Sequence, residues 1–201
     1  MKKKYELTSE TKEAHGATLY RIRAVRNFGT VRAGDLGGWI EKEANLSKSD
    51  NAWVYDNAEV CGDAWVCGDA RVYDNAWVCD NAQVCDNAVV YGAAQVCGNA
   101  RVYGNAEVCG DAWVYGIAQV SDIEQIFWIS NIGSRHDTTT FFQCQDGKIR
   151  VKTGCFYGDL EAFAAAIQKT HGDNKYAQVY RLAIEQAKVQ IGEAEAKAGH
   201  V

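Results

Sequence analysis

The chain has 201 residues and a net charge of −5, with 19 glycines, eight cysteines and no proline. It has no run of about 18 apolar residues, which excludes a helical membrane span. The basic opening MKKKYELTSETKE has no apolar stretch behind it, so no secretory leader is expected. Without an export signal, the cysteines are expected as reduced thiols and the protein in a cytoplasm.

The charge is unevenly spread. Residues 1–32 carry eight Lys or Arg against three Glu, a net of +5, whereas residues 50–121 carry ten carboxylates against Arg71 and Arg101, a net of −8. Residues 1–36 read as a basic β cap. Thr18 to Val25 alternates apolar and polar positions, the pattern of a half-buried strand, and is expected to pair with Lys4–Leu7.

Residues 37–121 are organised by a six-residue repeat, Ala-x-Val-[Tyr/Cys]-[Asp/Gly]-[Asn/Asp], which runs twelve times without interruption between Asp50 and Val120. Ala and Val, two apart, face one side of an extended strand, and the variable residue between them faces the other. A period of six puts no stripe on a helix, and two turn residues in every six leave strands too short to pair alone. Such units bury their apolar face only by stacking on their neighbours, as in a solenoid. The grammar starts early: Gly38-Trp39-Ile40 and Ala44-Asn45-Leu46 follow it, and Ser47 to Asp50 then insert two residues as a corner loop.

The sequence Val54-Tyr55-Asp56-Asn57-Ala58-Glu59 and its eleven counterparts resemble the hexapeptide-repeat family. The resemblance implies a left-handed parallel β-helix, triangular in section, with three repeat units to each coil. At about 4.8 Å per stacked strand, fourteen units make a rod on the order of 20–25 Å. Stacking of every third unit would align Cys61, Cys79 and Cys97 in one column and Cys67 and Cys85 in another, thiols in a line that no metal site requires. The interior would be solid Val and Ala, with no cavity for a substrate.

Hexapeptide-repeat acyltransferases and γ-class carbonic anhydrases use histidines in or beside the coil. Here His15, His136, His171 and His200 all lie outside it, so the resemblance does not extend to that chemistry, and no cofactor or metal is expected. An acyltransferase-like reaction would have to draw its base from His136 or His171. The outward residues Trp39, Trp53, Trp65, Trp77 and Trp113 are expected to form a partner interface, a homotrimer being common in this fold. Nucleic acid is not an expected partner.

Past Ser121 the repeat stops. Ile126–Ile129, Thr138–Cys144 and Ile149–Thr153 read as strands, with Gln145–Lys148 as a hairpin turn. Asp159 is a fair N-cap for a first helix, and Lys175 to Ile191 makes a second, with Tyr176, Val179, Leu182, Ala183 and Ala187 on its apolar stripe. Residues 122–194 are thus a small α+β (βββαα) module, and 195–201 a flexible tail. This module holds the site-like polar residues: Arg135, His136, Arg150, Lys152, His171, Asn174 and Lys175 are candidates for an anion or nucleotide pocket.

The order GDLGGWIEKEANLS, then the repeats, then GCFYGDLEAF and THGDNKYAQVYRLAIE, resembles uncharacterised phage and prophage proteins that carry transferase labels. The resemblance implies a non-enzymatic binding protein of the host cytoplasm, directed at a host protein, defence enzymes included, or at a small anionic ligand such as a nucleotide. Two alternatives are a hexapeptide acyltransferase-like enzyme and an architectural homotrimer.

Overall fold

A computed structural model describes residues 3–192. The expected tail at 195–201 lies outside the described residues. The chain is mainly β, with two helices at its C-terminal end. No helix among the described residues is long and apolar enough to cross a membrane.

Strands β1 (Tyr5–Ala14) and β2 (Ala17–Ala24) form an antiparallel hairpin with Tyr5 opposite Ala24 and a bulge between Leu7 and Thr11. The expected pairing is present, and it runs further, to a turn at His15 and Gly16, both with positive φ. Strand β3 (Leu36–Ile40) pairs antiparallel with β2 on one side and parallel with the first coil on the other. The hairpin therefore continues one face of the solenoid as a single sheet, which leaves that edge without a free row of amides.

Twelve two-residue strands follow, β4 to β15: Trp53–Val54, Glu59–Val60, Trp65–Val66, Arg71–Val72, Trp77–Val78, Gln83–Val84, Val89–Val90, Gln95–Val96, Arg101–Val102, Glu107–Val108, Trp113–Val114 and Gln119–Val120. They sort into three parallel sheets, β3-β5-β8-β11-β14, β4-β7-β10-β13 and β6-β9-β12-β15, so every third strand stacks and three repeat units complete a coil. The two-residue insertion lies where the repeat predicts it. Val54 pairs with Val72, a step of three units, while Ile40 pairs with Val60 and Leu46 bridges Val66, each a step longer by the two inserted residues.

Inside, the repeat valines and alanines are sealed from water and form one continuous core. Corners turn through positive φ, taken by glycine at positions such as Gly98 and by Asp56, Asp74, Asp80 and Asp86. The aspartates hold more than their own turn. Asp74, Asp80 and Asp86 accept the backbone N–H of Gly92, Gly98 and Gly104, one coil further on, at 3.1, 2.9 and 3.1 Å.

The cysteine columns form as expected, but the expectation of reduced, unpaired thiols needs correcting. Cys67 is bonded to Cys85 and Cys79 to Cys97, each pair one coil apart. Stacking alone brings their Cα atoms to 4.6 and 4.8 Å, inside the span a disulfide bridges. Cys61, next in the second column, stays a buried thiol and accepts from the indole N–H of Trp77 at 3.3 Å. Asp80 lies within 4.8 Å of Cys79 and Cys97, but those two sulfurs are taken up by each other.

The C-terminal module closes the other end. Its antiparallel sheet has four strands, β16 (Ile126–Ile132), β17 (Asp137–Gln143), β18 (Ile149–Thr153) and β19 (Phe156–Asp159), in that order. The fourth strand goes beyond the three expected, because Phe-Tyr-Gly-Asp is short and runs straight into the helix cap. Strand β17 meets the last coil: Thr140 Oγ1 accepts from the Trp113 amide at 2.9 Å, Ala118 bridges Cys144, and Phe142 and Ile126 join the solenoid core. Helix α1 (Leu160–His171) is capped by Asp159, and α2 (Lys175–Ile191) by Asn174. The apolar stripe of α2 is displaced from the expected one. Ala177, Tyr180, Ala183, Ile184 and Ala187 face the sheet, while Val179 and Leu182 face out, Leu182 at 71% exposure.

Candidate functional site

The outward tryptophans serve the fold before they serve any partner. Trp53 is 1% exposed, with Phe28 at 5.3 Å and Tyr5 at 6.2 Å between ring centroids. Trp39 is buried with Lys12 and Arg21 against its ring at 4.5 and 5.2 Å. Trp77 lies flat against His15 from the hairpin turn, centroids 3.8 Å apart, while His15 also meets Glu59 at 2.7 Å. Trp113 carries the Lys152 ammonium 3.7 Å from its ring centroid. Four of the five are thus the sockets into which the two end modules plug. Only Trp65, 43% exposed, is left facing outward. The alternation places them correctly on the outer side of each strand, but it carries no information on what covers that side.

The polar candidates of the C-terminal module do not converge on one point. Arg150 grips Asp146 with two bonds of 2.8 and 2.7 Å, which pulls the Asp146 carboxyl down to about 2. Lys152 points back into the fold, its ammonium on the carbonyl of Gly154, and burial lowers its pKa. Asn174 is spent on capping α2, accepting from the Tyr176 and Ala177 amides at 2.9 and 3.1 Å. Lys175 lies over the ring of Tyr176 at 5.0 Å.

Arg135 and His136 are neighbours in the β16–β17 loop yet serve different cavities. His136 faces a groove of about 510 Å³ between the solenoid and the module, with Gln95, Asp111 and Trp113 on one bank and Ser130, Asn131 and Asp137 on the other. Its Nδ1 lies 3.0 Å from Asn131 Oδ1, and both residues have positive φ, 54° and 61°. Backbone of this kind is uncommon in residues other than glycine and is tolerated where the surroundings hold it.

Arg135 instead borders a recess of about 420 Å³ within the module. His171, the last residue of α1, lines it too, with its ring 5.9 Å from that of Tyr180. The floor and walls are Phe156, Phe163, Ile167 and Ala166, and Ser134, Thr170 and Cys155 complete the lining. Phe163 sits at the centre of an aromatic cluster, 5.0 Å from Phe156 and 5.4 Å from Tyr180. Burial raises the Tyr180 hydroxyl above its ordinary range, keeping it neutral. Gly133 must be glycine here, since a Cβ would collide with the Tyr180 hydroxyl. The Arg135 guanidinium makes no hydrogen bond or ion pair among the described residues. Of the expected anion set, Arg135 and His171 therefore meet. Tyr180, Phe156 and Phe163, which shape the recess, carry no sequence mark beyond being aromatic.

Comparison with protein families bears on the solenoid. A family described as the YdcK β-solenoid repeat matches residues 64–80, 82–98 and 94–110. A protein named uncharacterized acetyltransferase YdcK, from Escherichia coli (strain K12), is 40% identical over 42 residues. That alignment covers 21% of this chain and 13% of the relative, so the chain spans only a small part of the length of the protein it matches. Coil length, three parallel sheets and repeat matches agree: the central segment of this chain is a parallel β-helix, and it fits a hexapeptide-repeat-like family.

Proposed function

We propose that the chain is a non-enzymatic binding protein in which the β-helix is a rigid shaft and the C-terminal module takes up a small anionic ligand at Arg135. One observation carries this reading. Of the four cations in the expected anion set, Arg150 and Lys152 are tied up by the protein itself and Lys175 lies over Tyr176 away from the recess, whereas Arg135 borders the recess with no hydrogen bond or ion pair among the described residues. A planar fork of donors left without a carboxylate or carbonyl partner suits a planar anion. Native mass spectrometry of the full chain, gently purified from a cytosolic extract, tests it. The expected result is a bound small molecule on the wild type that is missing from Arg135→Ala. Bare protein in both samples would overturn the reading.

A second reading rests on His136. The relative's name is that of an acetyltransferase, and the His136 imidazole, oriented by Asn131, lines a groove that runs along the solenoid wall. In an acyl transfer it would act as general base, accepting the proton of the attacking amine or hydroxyl. Incubation with acetyl-CoA and a panel of amines, followed by free-thiol release, decides between the two. Turnover that His136→Ala abolishes would favour the enzyme.

A further inference from the structure

We infer that the ligand of the Arg135 recess is a monoanionic aromatic carboxylate and not a nucleotide, an inference that rests on the recess being the binding site. A nucleotide with two or three phosphates needs several cations around it, and the sequence offers Arg135, Arg150, Lys152 and Lys175. The fold sends three of them elsewhere: to Asp146, to the Gly154 carbonyl and to the face of Tyr176. One guanidinium remains. Asp137, which lies beside Arg135 at Gly154 without forming an ion pair, lowers the local potential further. A single permanent cation offsets at most one negative charge, and with Asp137 beside it no surplus remains for a second or third.

Shape and polarity fix the rest. Phe156, Phe163, His171 and Tyr180 give four ring walls, and Ile167 makes the floor between them apolar. An aromatic body gains from such walls both by leaving water and by edge-to-face contact. Its carboxylate would then lie at the rim, where the Arg135 fork can bind both oxygens at once. A purine monophosphate would place its ribose and its second charge against the same apolar walls, with no further donors to meet them.

The test is isothermal titration of the full chain with three probes: phenylacetate, its neutral analogue 2-phenylethanol, and adenosine monophosphate. Phenylacetate is expected to bind, 2-phenylethanol at least about tenfold more weakly, and the nucleotide not measurably. Arg135→Ala should weaken phenylacetate about ten- to a hundredfold, the range of charge-assisted hydrogen bonds. Arg135→Lys, which keeps the charge and loses the fork, should fall between. Ala166→Phe fills the wall with Arg135 untouched and should block phenylacetate, a check that does not depend on how Arg135→Ala folds. Adenosine monophosphate binding more tightly than phenylacetate, and through Arg135, would overturn the ligand class while leaving the recess as the site. Binding of 2-phenylethanol as strong as that of phenylacetate would overturn the role of charge. If none of the three binds, both the inference and the proposed function fall.

Discussion

Lys4 is a cation fully inside the protein. Its side chain is 0% exposed, its ammonium donates to the carbonyls of Asp50 and Ala52 at 3.1 and 2.9 Å, and the Asp50 carboxylate stands 3.5 Å away. Burial outweighs the pull of Asp50 and lowers the Lys4 pKa to about 8 from an ordinary 10.5. Between those two values the unfolded chain still holds the proton that the folded chain has released. Stability from this residue therefore rises as pH increases from about 8 towards 10.5 and is least below 8. Melting temperatures of wild type and Lys4→Met, compared at pH 7.5 and 9.5, should show the wild type gaining on the variant at the higher pH. Parallel behaviour would mean that Lys4 keeps its ordinary pKa in the fold.

At the level of the rung, Asp74, Asp80 and Asp86 each have two tasks: they adopt positive φ and they accept an amide from the next coil. Asp86 at φ 58° does both, with Gly104 as donor. Asp86→Gly loses the hydrogen bond and relieves the backbone, so it should be close to neutral. Asp86→Ala loses the bond and keeps the strain, and should cost about 1–3 kcal/mol by chemical denaturation. An equal effect for both would remove the backbone from the account. This regularity is why the solenoid is readable from the sequence. Each rung obeys a rule that refers only to the next unit and to the unit three further on, so the insertion at 47–50, the columns and the corners all follow from spacing. The module obeys no such rule. Helix α2 has two apolar stripes, and only the position of the sheet decides that Tyr180 and Ile184 go in while Val179 and Leu182 stay out. Arg135 and His136 are adjacent in sequence, and the left-handed turn of the loop sends them to separate cavities. The recess depends on Phe156 in a strand that its composition does not announce. Compartment is a poor guide to the cysteine pairing, which the column geometry implied by the period already permits.

Across the whole molecule, the shaft is held at both ends by pieces of the chain that have no repeat. The N-terminal hairpin covers Trp39, Trp53 and Trp77, and the module covers Trp113 and the last coil. Removing residues 1–24 would expose the edge of β3 together with Trp39 and Trp77, while Trp53 keeps Phe28 against it, and the truncated chain is expected to associate, as seen by light scattering. A monodisperse truncated chain would show that the hairpin has some role other than closure.

The stacking of every third strand also sets an angular relation between the two ends. The β-helix works like a screw whose thread is marked in thirds of a turn. Duplicating three repeat units would move the C-terminal module away from the hairpin by about 4.8 Å and leave it facing the same way. Duplicating a single unit would leave the module turned by roughly 120°, so that the Arg135 recess looks out over a different face of the shaft. The orientation of the recess relative to the basic hairpin is therefore written in the number of repeats.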